Sequence, residues 1–240
     1  MTLSSWTADA AEKKVIDPSK PMIALTFDDG PHKKYTAEIL DILERNHAFA
    51  AFFEVGDRVE KCPEVVLRAY RMGCEIGAHS YDHARLAGME DRDVLSNLAK
   101  ADNAFSAAGV PVPTLFRPPY GELSPAILNS TGKSIVTWSV DTEDWRFRDA
   151  RVVTDTVKNR GNLDGQVVLL HSLYNSTVDA VREIVPWLQE QGYQLVTVTE
   201  LLTYHYGEPP RPNMLYDPIY FTKGKLIARL VRLYKRLKPW

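Results

Sequence analysis

Met22-Ile23-Ala24-Leu25-Thr26-Phe27-Asp28-Asp29-Gly30-Pro31 is the stretch on which the fold reading turns. Met22–Phe27 is a short apolar run, and Asp-Asp-Gly-Pro after it is good turn chemistry. A short apolar run closed by a turn reads as a buried strand. Working outward, the same unit recurs. Thr36–Arg45 carries Ile39, Leu40, Ile42 and Leu43 at helical spacing. Phe49–Val55 reads as a second strand. Pro63–Met72 is a helix with proline at its first position. Glu75–Ala78 is a short strand, and Asp91–Ala108 a helix ended by Gly109 and Pro111.

The alternation continues to the C-terminal third. Leu115–Arg117 reads as a strand and Ser124–Thr131 as a helix capped by Ser124. Ser134–Ser139 is a strand, Val152–Arg160 a helix, Gln166–His171 a strand and Thr177–Gln191 a helix. Gln194–Val198 is the last strand, followed by Glu200–Tyr204. About seven strand–helix units of this kind predict an α/β fold of parallel strands covered by helices, either an open doubly wound sheet or a closed barrel. A barrel would use nearly all of the 240 residues. No glycine-rich phosphate loop follows any strand, which weakens a nucleotide-binding version.

Composition narrows the function classes. Hydrophobic residues make up 45% of the chain and charged residues 25%, ordinary values for a globular protein, which excludes a disordered or fibrous chain. The net charge of −2 hides an asymmetry. Residues 223–240 hold seven of the 29 basic residues and none of the 31 acidic ones, so residues 1–222 carry −9. An acidic body argues against nucleic-acid binding, which needs a basic footprint. No apolar run reaches the length of a transmembrane helix. Met1–Lys14 has no apolar core, so no signal peptide is expected in the chain as written. That leaves a cytoplasmic protein or one whose export segment was removed. Cys62 and Cys74 flank a predicted helix that would hold them about 18 Å apart, too far for a disulfide, so two free thiols are expected.

Polar residues that need explaining fall at strand ends. Asp28 and Asp29 close the first strand. His79-Ser80-Tyr81-Asp82-His83 follows the third and places two imidazoles four residues apart, on one side of a helical turn or in a tight loop. That spacing suits a shared divalent ion. Arg117-Pro118-Pro119-Tyr120-Gly121 follows the fourth strand as a rigid loop. Asp141-Thr142-Glu143-Asp144-Trp145 follows the fifth, and His171 ends the sixth. Each has a bland reading by itself: a turn, surface histidines, a stiff connector, an acidic loop, a core histidine. Their convergence changes the odds, because barrel strand ends gather on one face, where active sites lie. Asp29, His79 and His83 could then meet at one metal, with Asp28 and His171 as base and acid. The two-histidine, one-carboxylate set by itself also fits non-haem iron chemistry, but an oxygenase would leave Asp28, Arg117 and His171 unexplained.

The motifs TFDDGP, HSYDH, RPPYG, the Asp-Trp of TEDW, and LLH, in this order, resemble the polysaccharide deacetylases, carbohydrate esterase family 4, also called the NodB-homology domain. The resemblance spans about Met22 to Leu202. It implies a distorted (β/α) barrel and metal-dependent removal of acetyl groups from N-acetylglucosamine polymers such as peptidoglycan or chitin, or from acetylated xylan. It implies that Asp29, His79 and His83 bind zinc, or another divalent ion such as cobalt. Asp28 would be the base and Arg117 the group that positions it. Tyr120 would offer its backbone N–H to the oxyanion. His171 would be the acid, oriented and charged by Asp144. Trp145, Leu169, Tyr120 and Pro118 would line the sugar and acetyl pocket, and Ser80 would stabilise the histidine loop. Asp141 and Glu143 have no assigned role.

The implied reaction is hydrolysis of the acetyl amide by a metal-activated water. An O-acetyl esterase is the alternative among enzymes, and a catalytically silent carbohydrate-binding protein the alternative of another class. The family's substrates imply an extracellular or cell-surface location. The expected organisation is an extension over 1–21, a catalytic domain over 22–204, and a proline-rich strap with a basic amphipathic helix over 205–240. In that helix Leu226, Ile227, Leu230, Val231, Leu233, Tyr234 and Leu237 share one face, and Lys225, Arg229, Arg232 and Arg236 the other. Such a helix suits either docking on the acidic body or contact with an anionic membrane surface.

Overall fold

The structure is a computed structural model, and it describes residues 16–218. The amphipathic segment 223–240 lies outside the described residues. Nine strands form one sheet: β1 (Met22–Asp28), β2 (Ala51–Glu54), β3 (Glu75–Ala78), β4 (Leu115–Phe116), β5 (Ser134–Val136), β6 (Val140–Asp141), β7 (Gln166–His171), β8 (Gln194–Leu195) and β9 (Leu215–Tyr216). Among the described residues nine α-helices accompany them: α1 (Tyr35–Arg45), α2 (Gly56–Lys61), α3 (Pro63–Arg71), α4 (Asp91–Ala107), α5 (Pro125–Ser130), α6 (Asp144–Phe147), α7 (Ala150–Lys158), α8 (Asn175–Glu190) and α9 (Val198–Tyr206). The strand order is β6-β7-β1-β2-β3-β4-β5-β9, with β8 paired to the start of β1, and every pairing is parallel. The predicted distorted (β/α) barrel is what forms.

The period-2 pleat divides the core in two. Ile23, Leu25 and Phe27 of β1 face outward and pack, with Phe52 of β2 and Val168 and Leu170 of β7, against the helices. Met22 and Ala24 face inward with Ala51 and Phe53 of β2, Leu115 of β4, Val136 of β5 and Val167 of β7. The inward phase of β1 continues to Thr26 and Asp28, and that of β7 to Leu169 and His171. An apolar barrel interior thus becomes polar at one end, where the strands finish.

Three differences from the sequence reading have physical causes. The predicted strand Ser134–Ser139 is two strands. Thr137 N–H donates to Tyr216 on one side of the ring, and Ser139 N–H donates to Val167 on the other. The chain therefore crosses from β5 to β6 over three residues, which span at most about 14 Å between the flanking Cα atoms. Among the described residues no β-ladder joins the two ends of the sheet, so this crossing is a covalent seam in the barrel wall. The predicted last strand, Gln194–Val198, stops at Leu195, and Val198 opens α9 behind a Thr197–Glu200 capping box. The stretch read as a strap contributes β9, which pairs with β5 through Ile135 and Val136. Cys62 and Cys74 are both free, as expected.

Candidate active site

The site is built at the C-terminal ends of β1, β3, β4, β6 and β7. Asp28 and His171 are register partners on neighbouring strands. Parallel strands lie about 4.8 Å apart, so this register alone sets a carboxylate and an imidazole side by side on the inward face. Asp28 is almost wholly buried, and Arg117 Nη1 donates to its Oδ1 at 2.7 Å. Arg117 is itself fully buried. It spends its remaining donors on Thr26 Oγ1 and on the carbonyls of Val136 and Thr137 at 2.8–3.1 Å, and its guanidinium lies 4.1 Å from the Phe53 ring centre. Burial pulls the guanidinium down from its ordinary value, and the Asp28 carboxylate opposes that pull. The pair is a buried ion pair inside an otherwise apolar barrel.

One residue on, the chain turns. Asp29 adopts left-handed backbone (φ 68°), which swings its carboxylate away from Asp28 and toward the histidine loop. Asp29 Oδ1 lies 3.3 Å from His79 Nε2 and 3.1 Å from His83 Nε2. Burial would raise the Asp29 carboxyl, but the two imidazoles outweigh that and hold it far below the usual carboxylate range. His79 Nδ1 sits 2.6 Å from the Arg117 carbonyl. A carbonyl can only accept, so Nδ1 carries the proton and the Nε2 lone pair is left to face the cluster. The second ring nitrogen of a metal-binding histidine is usually tied down in this way.

The histidine pair lies in a tight loop, not a helical turn. Ser80 (φ 64°) accepts from His83 N–H at 2.9 Å, and His83 is itself left-handed (φ 59°). Asn97 of α4 accepts from Tyr81 N–H and donates to Asp82, fixing the loop from behind. Asp29, His79 and His83 present one donor atom each within 4.8 Å of one another. Asp29 Oδ1 is buried without a hydrogen bond of its own. One carboxylate oxygen and two imidazole nitrogens crowded together fit a divalent cation with positions left for water or substrate.

On the opposite side, Asp144 is fully buried and fully satisfied. It accepts from His171 Nδ1 and from the His171, Trp145 and Thr177 donors at 2.6–2.9 Å. Burial would lower the His171 imidazole. The Asp144 hydrogen bond and charge, with Asp28 and Asp29 beyond, push it up to about 9. His171 is therefore cationic at neutral pH. Tyr120 stands between the two halves with φ 62°, its ring edge-on to His83. Its backbone N–H has no hydrogen-bond partner among the described residues. Trp145 and Tyr120 are each about half exposed (48% and 53%), whereas Leu169 and Pro118 are buried. Asp141 and Glu143 shape the turn into α6: Asp141 accepts from Glu143 N–H, and Glu143 pairs with Arg146.

Sequence reasoning missed Thr26, Thr177 and Glu54. The first two follow from pleat and helix phase once the strands are placed. Glu54 is fully buried at the end of β2, with neither carboxylate oxygen hydrogen-bonded. Burial raises its carboxyl well above the ordinary range. Arg58 opposes this, and Asp28 and Asp29 add to it.

A barrel that gathers a buried carboxylate, an imidazole paired with a buried aspartate and a three-donor cluster at its strand ends carries the groups that metal-dependent hydrolysis needs. The polysaccharide deacetylase family model matches residues 16–136, and the chain belongs to that family. Three relatives place it further. The chain is 37% identical over 190 residues to the peptidoglycan-N-acetylmuramic acid deacetylase PdaC of Bacillus subtilis, covering 79% of this chain and 40% of that protein. The solved PdaC structure superposes with a TM-score of 0.77 over 79% of this chain and 93% of that one. The chain is 40% identical over 187 residues to the peptidoglycan-N-acetylglucosamine deacetylase PgdA of Listeria monocytogenes, covering 78% and 39% of the two. A family 4 acetyl xylan esterase from Clostridium thermocellum, solved with a cobalt ion, superposes with a TM-score of 0.75 at 34% identity, over 81% of this chain and 97% of that one. The chain spans about two-fifths of the length of the two curated relatives.

Proposed function

We propose that this chain hydrolyses N-acetyl groups on a glycan containing N-acetylglucosamine, with peptidoglycan as the substrate class. The observation that carries the reading is the Asp28–His171 register beside the Asp29, His79 and His83 cluster. Held by those three residues, a divalent cation such as zinc or cobalt supplies Lewis acidity that acidifies water and polarises a carbonyl. Asp28, kept in place by Arg117, takes a proton as water attacks the acetyl carbon. The Tyr120 N–H donates to the oxygen on which charge develops, a contact worth about 3–4 kcal/mol when preorganised. His171, cationic through Asp144, gives its proton to the departing nitrogen as the C–N bond breaks, leaving a free amine and acetate. Trp145 flanks the sugar, and Leu169 and Pro118 form the floor against the acetyl methyl. Such a glycan lies outside the cell, so an extracellular or surface location accompanies this reading. Among the described residues no helix is long and apolar enough to cross a membrane.

The test is acetate release from an N-acetylglucosamine oligomer, peptidoglycan strands and acetylated xylan, each with and without chelator. Chelator-sensitive release from the first two supports the reading. Release from xylan alone would make the protein an O-acetyl esterase. Tight glycan binding with no release would make it a silent binding protein.

A further inference from the structure

Beside the site, an open depression of about 460 Å³ lies between the loop after β7, the start of α1 and the segment after α6. Tyr35, Arg148, Tyr174, Asn175 and Asp179 line it. It adjoins the reaction centre. Tyr174 is three residues beyond His171, so at most about 11 Å of main chain separates them. Arg148 Nε donates to the carbonyl of Trp145 at 3.3 Å.

Two cations stand on aromatic rings of this depression, Arg148 in its lining and Lys34 next to it, just before Tyr35 in the chain. The Arg148 guanidinium lies 4.8 Å from the Tyr174 ring centre, and Lys34 Nζ lies 5.2 Å from that of Tyr35. Both side chains are exposed, and neither has a carboxylate partner among the described residues. The one acid in the lining, Asp179, is already engaged by Arg182 and by Asn175. Arg148 is also held in left-handed backbone (φ 48°) at the end of α6, which sets the direction in which its side chain leaves the main chain. A guanidinium over a ring, its Nε on the Trp145 carbonyl and its Nη groups without a carboxylate partner among the described residues, is suited to a carboxylate.

Resting on the deacetylase reading above, we propose that this depression is a subsite for a carboxylate carried by the glycan near the sugar being deacetylated, with Arg148 as its main recognition group. Two parts of peptidoglycan supply that chemistry: the lactyl carboxylate of a peptide-free muramic acid, and the acidic groups of a stem peptide.

The test compares KM for an uncharged N-acetylglucosamine oligomer, peptide-free glycan strands and peptide-bearing strands, in the wild type, R148Q and R148K. Melting temperatures of the three proteins check folding. The expected result is that R148Q lowers the preference for a carboxylate-bearing strand, expressed as the ratio of KM values, about fivefold, the size an exposed charge contact supports. R148K should retain part of that preference. A change confined to peptide-free strands assigns the lactyl carboxylate, and one confined to peptide-bearing strands assigns the stem. An unchanged ratio for both overturns the subsite. If the wild type releases no acetate at all, the deacetylase reading fails. Calorimetric binding of the same three glycans then decides the subsite: R148Q weakens binding of a carboxylated strand about fivefold, or the proposal is overturned.

Discussion

Asp28 and Asp29 are adjacent, chemically identical side chains that the backbone sends to different tasks. The pleat aims Asp28 into the barrel beside Arg117, and the left-handed step at Asp29 aims its carboxylate at His79 and His83. Substituting them should therefore have separable effects. Asp28→Asn should leave cation binding intact and lower kcat by about 10²–10⁴; metal titration alongside acetate release checks this, and full activity would refute the base assignment. His171 gives a second residue-level test. On the proposed mechanism its cationic form is the acid, so kcat/KM should fall as pH rises toward about 9, or somewhat lower, because a cation held by Asp29 would offset that carboxylate's share of the shift. Asp144→Asn should move this limb down toward the ordinary histidine value. The same shift is a stability statement. Because the folded pKa is raised, His171 contributes fully below about pH 6.5 and loses its contribution as pH rises through about 9. The full effect is on the order of 3 kcal/mol. Melting of the chelated protein between pH 6 and 10 should show it, and His171→Gln should flatten the dependence.

The elements explain how much of this was legible in the chain. Strand ends carrying Asp28, His79, Arg117 and His171 were readable, because each interrupts or closes an apolar run with a residue that a core excludes. Boundaries set by neighbours were not. β6 and β9 are two residues each and exist only because β7 and β5 supply partners. α2 buries only Gly56 and Val59, too few for a periodic signal. Thr26 and Thr177 are silent as letters and matter only through the side chains they meet. Gly77 belongs with them. It stands in register with Phe53, and a Cβ there would lie 2.4 Å from the Phe53 ring. That ring is the shelf under Arg117. Gly77→Ala should therefore displace Phe53 and, through it, the Arg117–Asp28 pair. The expected outcome is a loss of about 1–3 kcal/mol in unfolding free energy from overpacking, with kcat reduced although no substrate-facing atom is altered. Denaturant melts and kinetics on one preparation check both. Unchanged kcat would mean that the barrel interior absorbs the ring without moving Arg117.

At the scale of the molecule, the three residues of the cation cluster come from the loops after β1 and β3, so occupancy should tie these two strand ends together and stabilise the fold. Zinc or cobalt at one hundred times its dissociation constant should raise stability by about 2.7 kcal/mol, and Asp29→Ala or His79→Ala should abolish that gain. Thermal melts with and without metal measure it. Conformational strain gathers at the same end: of the eight non-glycine residues with left-handed backbone, Asp29, Ser80, His83, Tyr120, Glu143 and Arg148 are in strand-end loops around the site. Packing elsewhere holds these residues in place. The three-residue crossing between β5 and β6 joins the sheet there by main chain alone, without a ladder among the described residues. Trp138 sits in it, close enough to Gly121 that a Cβ there would meet its ring at 2.8 Å, and 5.7 Å from the Arg117 guanidinium. One indole on a three-residue bridge thus touches both the loop of Tyr120 and the guanidinium paired with Asp28, so a change at Trp138 should be felt on both sides of the strand-end cluster at once.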